Sequence, residues 1–249
     1  MVLAATTVAV FADSKIEFKV TEGSGTSATA ILIGQGKIRF DGDATTSAII
    51  DPKEGSITAV DHAAKTWTKI TKADLQQSIQ QLQQAMAQVP PEMQQQVQQM
   101  MAGRMGGGAA QASVVTDTGE KATVMGKSCR IFRTTQGGRT TMESCLAEAS
   151  AIDIPAADKE TMMAAMAFSK ELTDAFAKLP MMGQVASKTT PFAGGLVPLR
   201  TTQIAADGTR QTSEFSNVST AAVPAAMFAA PAGYKEQKLP TMGRGRGGN

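Results

Sequence analysis

Cys129 and Cys145 are the only thiols in the chain, and they stand equally far from Gly137 in VMGKSCRIFRTTQGGRTTMESCLAEA. The alternating residues on either side of Gln136-Gly137-Gly138 read as a β-hairpin, in which residues equidistant from the turn face each other. The spacing predicts a cross-strand disulfide; a reducing compartment would leave two buried thiols instead. Closing a loop of this size stabilises a fold by about 3 kcal/mol in the chain-entropy account. Metal chemistry is not indicated, since C-x-x-C is absent and two cysteines with one histidine, His62, fall short of a four-ligand zinc set.

Catalysis has few candidate groups. Nucleophilic chemistry on the Ser-His-Asp plan needs a histidine beside a nucleophile, and Asp61-His62 stands at a strand end beside a turn, where an exposed histidine is expected. No G-x-S-x-G elbow occurs, and the glycine run Gly103–Gly108 follows a helical pattern where a phosphate loop would precede one. The 22 acidic residues show no spacing that singles out a pair. A non-enzymatic protein without cofactor or metal is expected. Methionine is in excess, 15 residues with clusters at Met100-Met101-Met105, Met162-Met163-Met166 and Met181-Met182. Three readings stay open: core filler in a chain poor in aromatics, a pliable lining for apolar ligands, and thioether ligation of copper(I).

The elements that position these groups follow from periodicity. KIEFKV, TAILIG, KIRFDG, SAIIDP, SITAVDH and KTWTKI alternate and are separated by turn residues, which predicts an antiparallel meander from Lys15 to Ile70. Trp67, the sole tryptophan, faces one side of that sheet. From Lys72 the spacing changes: Leu75, Ile79, Leu82, Met86 and Val89 recur every three or four residues on a glutamine-rich helix that Pro90-Pro91 ends. Met93, Val97 and Met100 predict a second helix, so residues 72–103 read as a helical hairpin inserted in the domain. Strands return at 113–118, 122–125, 127–134 and 139–147. A helix follows over roughly 156–179, with Met162, Ala165, Phe168, Leu172, Phe176 and Leu179 on one face. Two further strands close on the Asp207-Gly208 turn.

The ends of the chain bear on its compartment. Residues 1–12 are apolar and uncharged and end in Val10-Phe11-Ala12, with small residues where a signal peptidase cuts; they read as a signal-peptide remnant or as a first strand. Residues 13–237 then form one domain, and residues 238–249 a disordered Gly/Arg tail. A net charge of +2 and 4% aromatics argue against nucleic acid. No run approaches the ~20 apolar residues of a membrane span. The expectation is a periplasmic or secreted protein.

Strands, helices, strands, one helix, strands is an α+β order in which a curved antiparallel sheet wraps helices on its concave face. Three stretches carry a resemblance to a known group: KIRFDG with SAIIDPKEGSITAVDHAAKTWTKIT, then GGLVPLRTTQIAADGTRQTSEFSNVS, then AAMFAAPAGYKEQ. The chain resembles the lipoprotein-carrier (LolA-like) half-barrel superfamily, nearest its uncharacterised exported relatives. Carriers of that group have a cavity arginine in a basic-proline turn, and Gly34-Gln35-Gly36 stands at the matching place without it. The resemblance therefore implies the half-barrel and a hydrophobic cleft between sheet and helices, for a lipid, acyl chain or hydrophobic peptide, but not lipoprotein as cargo. The expected lining is Trp67, Leu75, Ile79, Leu82, Met86, Met162, Phe168, Leu172 and Phe176. The alternative is an envelope interaction module that docks a partner protein through the Gln/Met-rich helices.

Overall fold

A chain that alternates apolar and polar residues over twelve short segments has to pair them, and here its strands join one sheet. The computed structural model describes residues 13–42, 45–87, 113–177 and 195–238. Its strands are β1 (Asp13–Glu22), β2 (Gly25–Gly34), β3 (Lys37–Asp41), β4 (Thr46–Asp51), β5 (Ser56–Asp61) and β6 (Thr66–Thr71), followed by β7 (Ser113–Val124), β8 (Lys127–Gln136), β9 (Arg139–Glu148), β10 (Leu196–Ile204), β11 (Arg210–Ala221) and β12 (Lys235–Glu236). They form one 12-stranded sheet in the order β12-β6-β5-β4-β3-β2-β1-β11-β10-β9-β8-β7. Every pairing is antiparallel except β12 on β6. The fold is α+β, a curved sheet with helices α1 (Lys72–Ala87) and α2 (Ala156–Ala177) on its inner face. The signal-remnant reading of residues 1–12, the second helix of the expected hairpin and most of the Gly/Arg tail lie outside the described residues.

Helix α1 starts where it does because Thr71 caps it. The Thr71 backbone N–H donates to Asp74 Oδ2 (2.9 Å) while the Asp74 N–H donates to Thr71 Oγ1 (3.2 Å), a reciprocal capping box that satisfies two orphan donors. Helix α2 buries Met162, Ala165 and Phe168. Met162 and Ala165 join Ile16, Ile33 and Ile38 in the main core, and the edge of the Phe168 ring lies over Gly55. A salt bridge between Lys72 Nζ and Glu171 Oε2 (2.5 Å) ties the two helices at the same end of the sheet. That end, with the turns at Gln35-Gly36 and Pro52–Gly55, is taken as the lower one.

The outer face has a smaller core. Leu32, Ile49 and Val60 are buried there in register with Arg39 and Ser47, and the chain after β11 runs back across them as a strap. The strap is fastened at several points. The Val223 N–H donates to Asp13 Oδ2 (2.8 Å), the Arg39 guanidinium donates to the Met227 carbonyl (3.1 Å), and Phe228 is 2% exposed. Beyond it, β12 pairs with β6 and covers that sheet edge.

Two expectations are corrected by the register. Segments 113–118 and 122–125 are one strand, β7, interrupted by an irregularity between Asp117 and Lys121. The cysteines do form a disulfide, Cys129–Cys145, with a Cα–Cα distance of 5.3 Å, but they do not face each other. Cys145 opposes Ile131, because an extra residue, Thr141, bulges out of β9 between the Thr135↔Thr140 and Thr134↔Met142 pairs. The bulge is what permits the bond: in the register set by the Gly137-Gly138 turn, the two side chains would stand on opposite faces of the sheet. One inserted residue restores parity, and the sulfurs meet diagonally.

Candidate functional site

The described packing of α2 on the sheet, through Met162, Ala165 and Phe168, is at the lower half of the inner face, and among the described residues the upper half is hollowed. By alternation, β3 to β6 send Ile38, Ile50, Ile57 and Ile70 inward at their lower ends, then Phe40, Ala48, Ala59 and Thr68 in the next register row. On β4 to β6 large apolar side chains thus give way to small ones, beside the Phe40 ring of β3, and an open groove of about 430 Å³ lies there. Phe40, Ala48, Ala59 and Thr68 line it, with Thr46, Asp61 and Thr66 around its upper mouth. Phe40 is also a wall of a second hollow of about 220 Å³, shared with Phe18, Thr29, Ile31, Thr201 and Ser213. The two hollows share that residue and lie on either side of it, the larger over β3 to β6 and the smaller over β1 to β3, β10 and β11; together they are called the trough.

The expected lining residues are distributed differently from a single cleft. Met162 and Phe168 are buried against the lower half of the sheet, and Leu75, Ile79 and Leu172 are half-buried. The side chains of Leu82, Met86 and Phe176 lie outside the described residues. Trp67 borders the groove, but its place opposite Val60, which in turn opposes Ser47, assigns its side chain by alternation to the outer face. The inward residues of β3 to β5 do not stand out in the sequence, although the step from Ile to Ala two positions away, Ile50 to Ala48 and Ile57 to Ala59, is a signal it carries.

His62 departs from the exposed turn residue expected of it. Its Nε2 is 3.0 Å from Ser47 Oγ and its Nδ1 is 3.1 Å from Tyr234 Oη, and the two rings meet edge to face at 5.8 Å between centroids. A serine beside a histidine is the start of nucleophilic chemistry, but Ser47 is 5% exposed and sits under the strap. The arrangement instead pins the strap to the ends of β4 and β5.

A second polar cluster joins β1, α2 and the strap at the lower end. Asp13, Ser14 and Asp158 are all buried, and Ser14 Oγ donates to Asp158 Oδ2 (2.5 Å). Burial pushes the Asp158 carboxyl above the usual aspartate range and the Asp13 charge adds to this, against the opposing Ser14 hydrogen bond. Among the described residues, no three His, Cys, Asp or Glu side chains converge as a metal set would. No helix among them is long and apolar enough to cross a membrane.

A family model described as "Domain of unknown function (DUF4412)" matches residues 13–234. No curated protein matches the chain. Among solved structures it is similar to PNGF-II, with a TM-score of 0.42 and 10% identity, covering 92% of this chain and 31% of that one. Similarity to the MucA/MucB complex of Pseudomonas aeruginosa has a TM-score of 0.33 and 11% identity over 87% of this chain and 54% of that one. A LolA superfamily protein from Nitrosomonas europaea gives a TM-score of 0.27 and 6% identity over 88% and 89% of the two chains. The chain spans about a third of PNGF-II and about half of the MucA/MucB chain it matches.

Proposed function

We propose that this chain, which belongs to the DUF4412 family, is an exported, non-enzymatic binding protein that holds a hydrophobic ligand in the trough of the inner face. The observation that carries this reading is the pair of hollows that share Phe40, apolar in their walls and open along the upper half of the sheet. The larger is within the size range of small-molecule sites. An acyl chain laid there gains roughly 0.8 kcal/mol for each CH₂ removed from water, less the cost of ordering it. Export is supported by the Cys129–Cys145 bond, which persists in an oxidising compartment, and by the apolar segment before Asp13.

The test is a blocking substitution that spares the core. Ala59 is exposed, so Ala59→Phe fills the groove without touching buried packing. The purified chain should take up the neutral fluorophore N-phenyl-1-naphthylamine with a blue-shifted emission, and Ala59→Phe should weaken uptake at least tenfold while leaving the melting temperature in place. No uptake by the parent chain, or equal uptake by both, would refute the trough as a ligand site.

A further inference from the structure

Among the described residues, the charged side chains that line the trough are acidic. The larger hollow contains Asp61 and the smaller Asp41, and among the described residues neither a lysine nor an arginine lines either of them. Asp41 is matched, since the Arg39 guanidinium donates to its Oδ1 at 2.8 Å. Asp61 is held differently: its Oδ1 accepts the Ala64 backbone N–H at 2.7 Å, and no lysine or arginine among the described residues bridges to it. Lys65 and Lys235 meet nearby at the sheet edge through a backbone hydrogen bond, but neither is part of the lining. The Thr46 and Thr66 side chains share the mouth with Asp61. An apolar trough thus ends in a carboxylate and hydroxyls.

We propose that the trough selects an acyl-chain ligand whose head is uncharged and donates hydrogen bonds, a hydroxyl-headed lipid, over fatty-acid carboxylates and lipid phosphates. This rests on the reading of the trough as a ligand site and adds which class of lipid it takes. A hydroxyl head donates to Asp61 and the threonines. An anionic head about 4 Å from Asp61 meets repulsion that lowers affinity roughly fivefold in water-like surroundings, and more where the mouth is drier.

Competition against bound N-phenyl-1-naphthylamine by monooleoylglycerol and by oleate, on the full chain at mildly alkaline pH, measures both affinities on one acyl length. The glyceride should bind at least fivefold tighter than oleate. Asp61→Asn retains a side-chain oxygen to accept the Ala64 N–H and should bring the two ligands within about twofold, mainly by strengthening oleate. In the parent chain, molar salt should narrow the preference too, a readout that needs no variant. Equal affinities, tighter oleate, or a preference that ignores both Asp61→Asn and salt would overturn the proposal and leave the trough standing as a site. If neither lipid displaces the fluorophore, the proposal falls, while uptake that Ala59→Phe blocks would still hold the trough as a site.

Discussion

Reducing the Cys129–Cys145 bond should lower the stability of the fold by about 3 kcal/mol. The bond joins residues 16 apart in sequence, and the loop-closure entropy it removes from an unfolded chain corresponds to about 3 kcal/mol at room temperature. Little should change in the native state, because the half-cystines are 3% and 1% exposed within the core and two thiols occupy nearly the same space. For a chain of this size the loss is roughly 6–12 °C in melting temperature. Urea unfolding followed by circular dichroism, on oxidised protein and on protein reduced in denaturant and refolded, gives the difference directly. The denaturant slope should steepen on reduction, since a chain freed of its loop exposes more surface when unfolded. A Cys129→Ala/Cys145→Ala double variant should lose more than the reduced parent, because it also leaves small cavities in the core. Reduced and oxidised forms that unfold within about 1 kcal/mol of each other would refute the entropic account. Two alkylatable thiols in protein exported to an oxidising compartment and never reduced would refute the bond itself.

Three further outcomes are expected. The raised carboxyl of Asp158 means that the folded chain binds that proton more tightly than the unfolded one. Its contribution is therefore fully present below the ordinary aspartate value and is lost as pH rises through the raised folded value. Asp158→Asn should flatten this part of the stability-versus-pH curve and be at least as stable as the parent at neutral pH, and an unchanged curve would count against the assignment. Gly34→Ala drives a methyl into the Asp13 side chain that holds the Val223 N–H, and urea titration should show a loss of about 1–3 kcal/mol. Tyr234→Phe removes one partner of His62 and should cost about 1 kcal/mol. Because the sole tryptophan, Trp67, pairs with Glu236 of β12, two residues past Tyr234, its fluorescence should report the loosening.

Most strands and the two described helices were legible in local periodicity and turn chemistry: Ile38 and Ile57 stand between polar neighbours, Gly137-Gly138 turns the chain, and Leu75 and Ile79 recur at helical spacing, whereas the two-residue β12 carries no such pattern. What was not legible depends on contacts distant in sequence. The Thr141 bulge changes the parity of every residue beyond it in β9, and nothing in RTTMESC marks which residue drops out of register. His62 looked exposed because its partners, Ser47 and Tyr234, come from another strand and from a segment 172 residues away. The trough was missed for a related reason. Periodicity shows that Phe40, Ala48 and Ala59 share a face, but which half of that face α2 leaves bare follows from where it docks. Trp67 drew notice through its rarity, whereas its face is set by its pairing with Val60.

The place of β1 in the middle of the sheet governs how the chain can assemble. β2 to β6 and β7 to β10 each pair with neighbours in sequence order, so two meanders can form early from local contacts. They become one sheet only when β11 seats beside β1, a seam whose Asn217–Glu17 hydrogen bond spans 200 residues. During synthesis or passage through a translocation pore, β1 therefore waits with an open edge until almost the whole described chain has emerged. A chain stopped before Arg210 would hold two half-sheets with facing unpaired edges, the form most prone to join with another copy of itself.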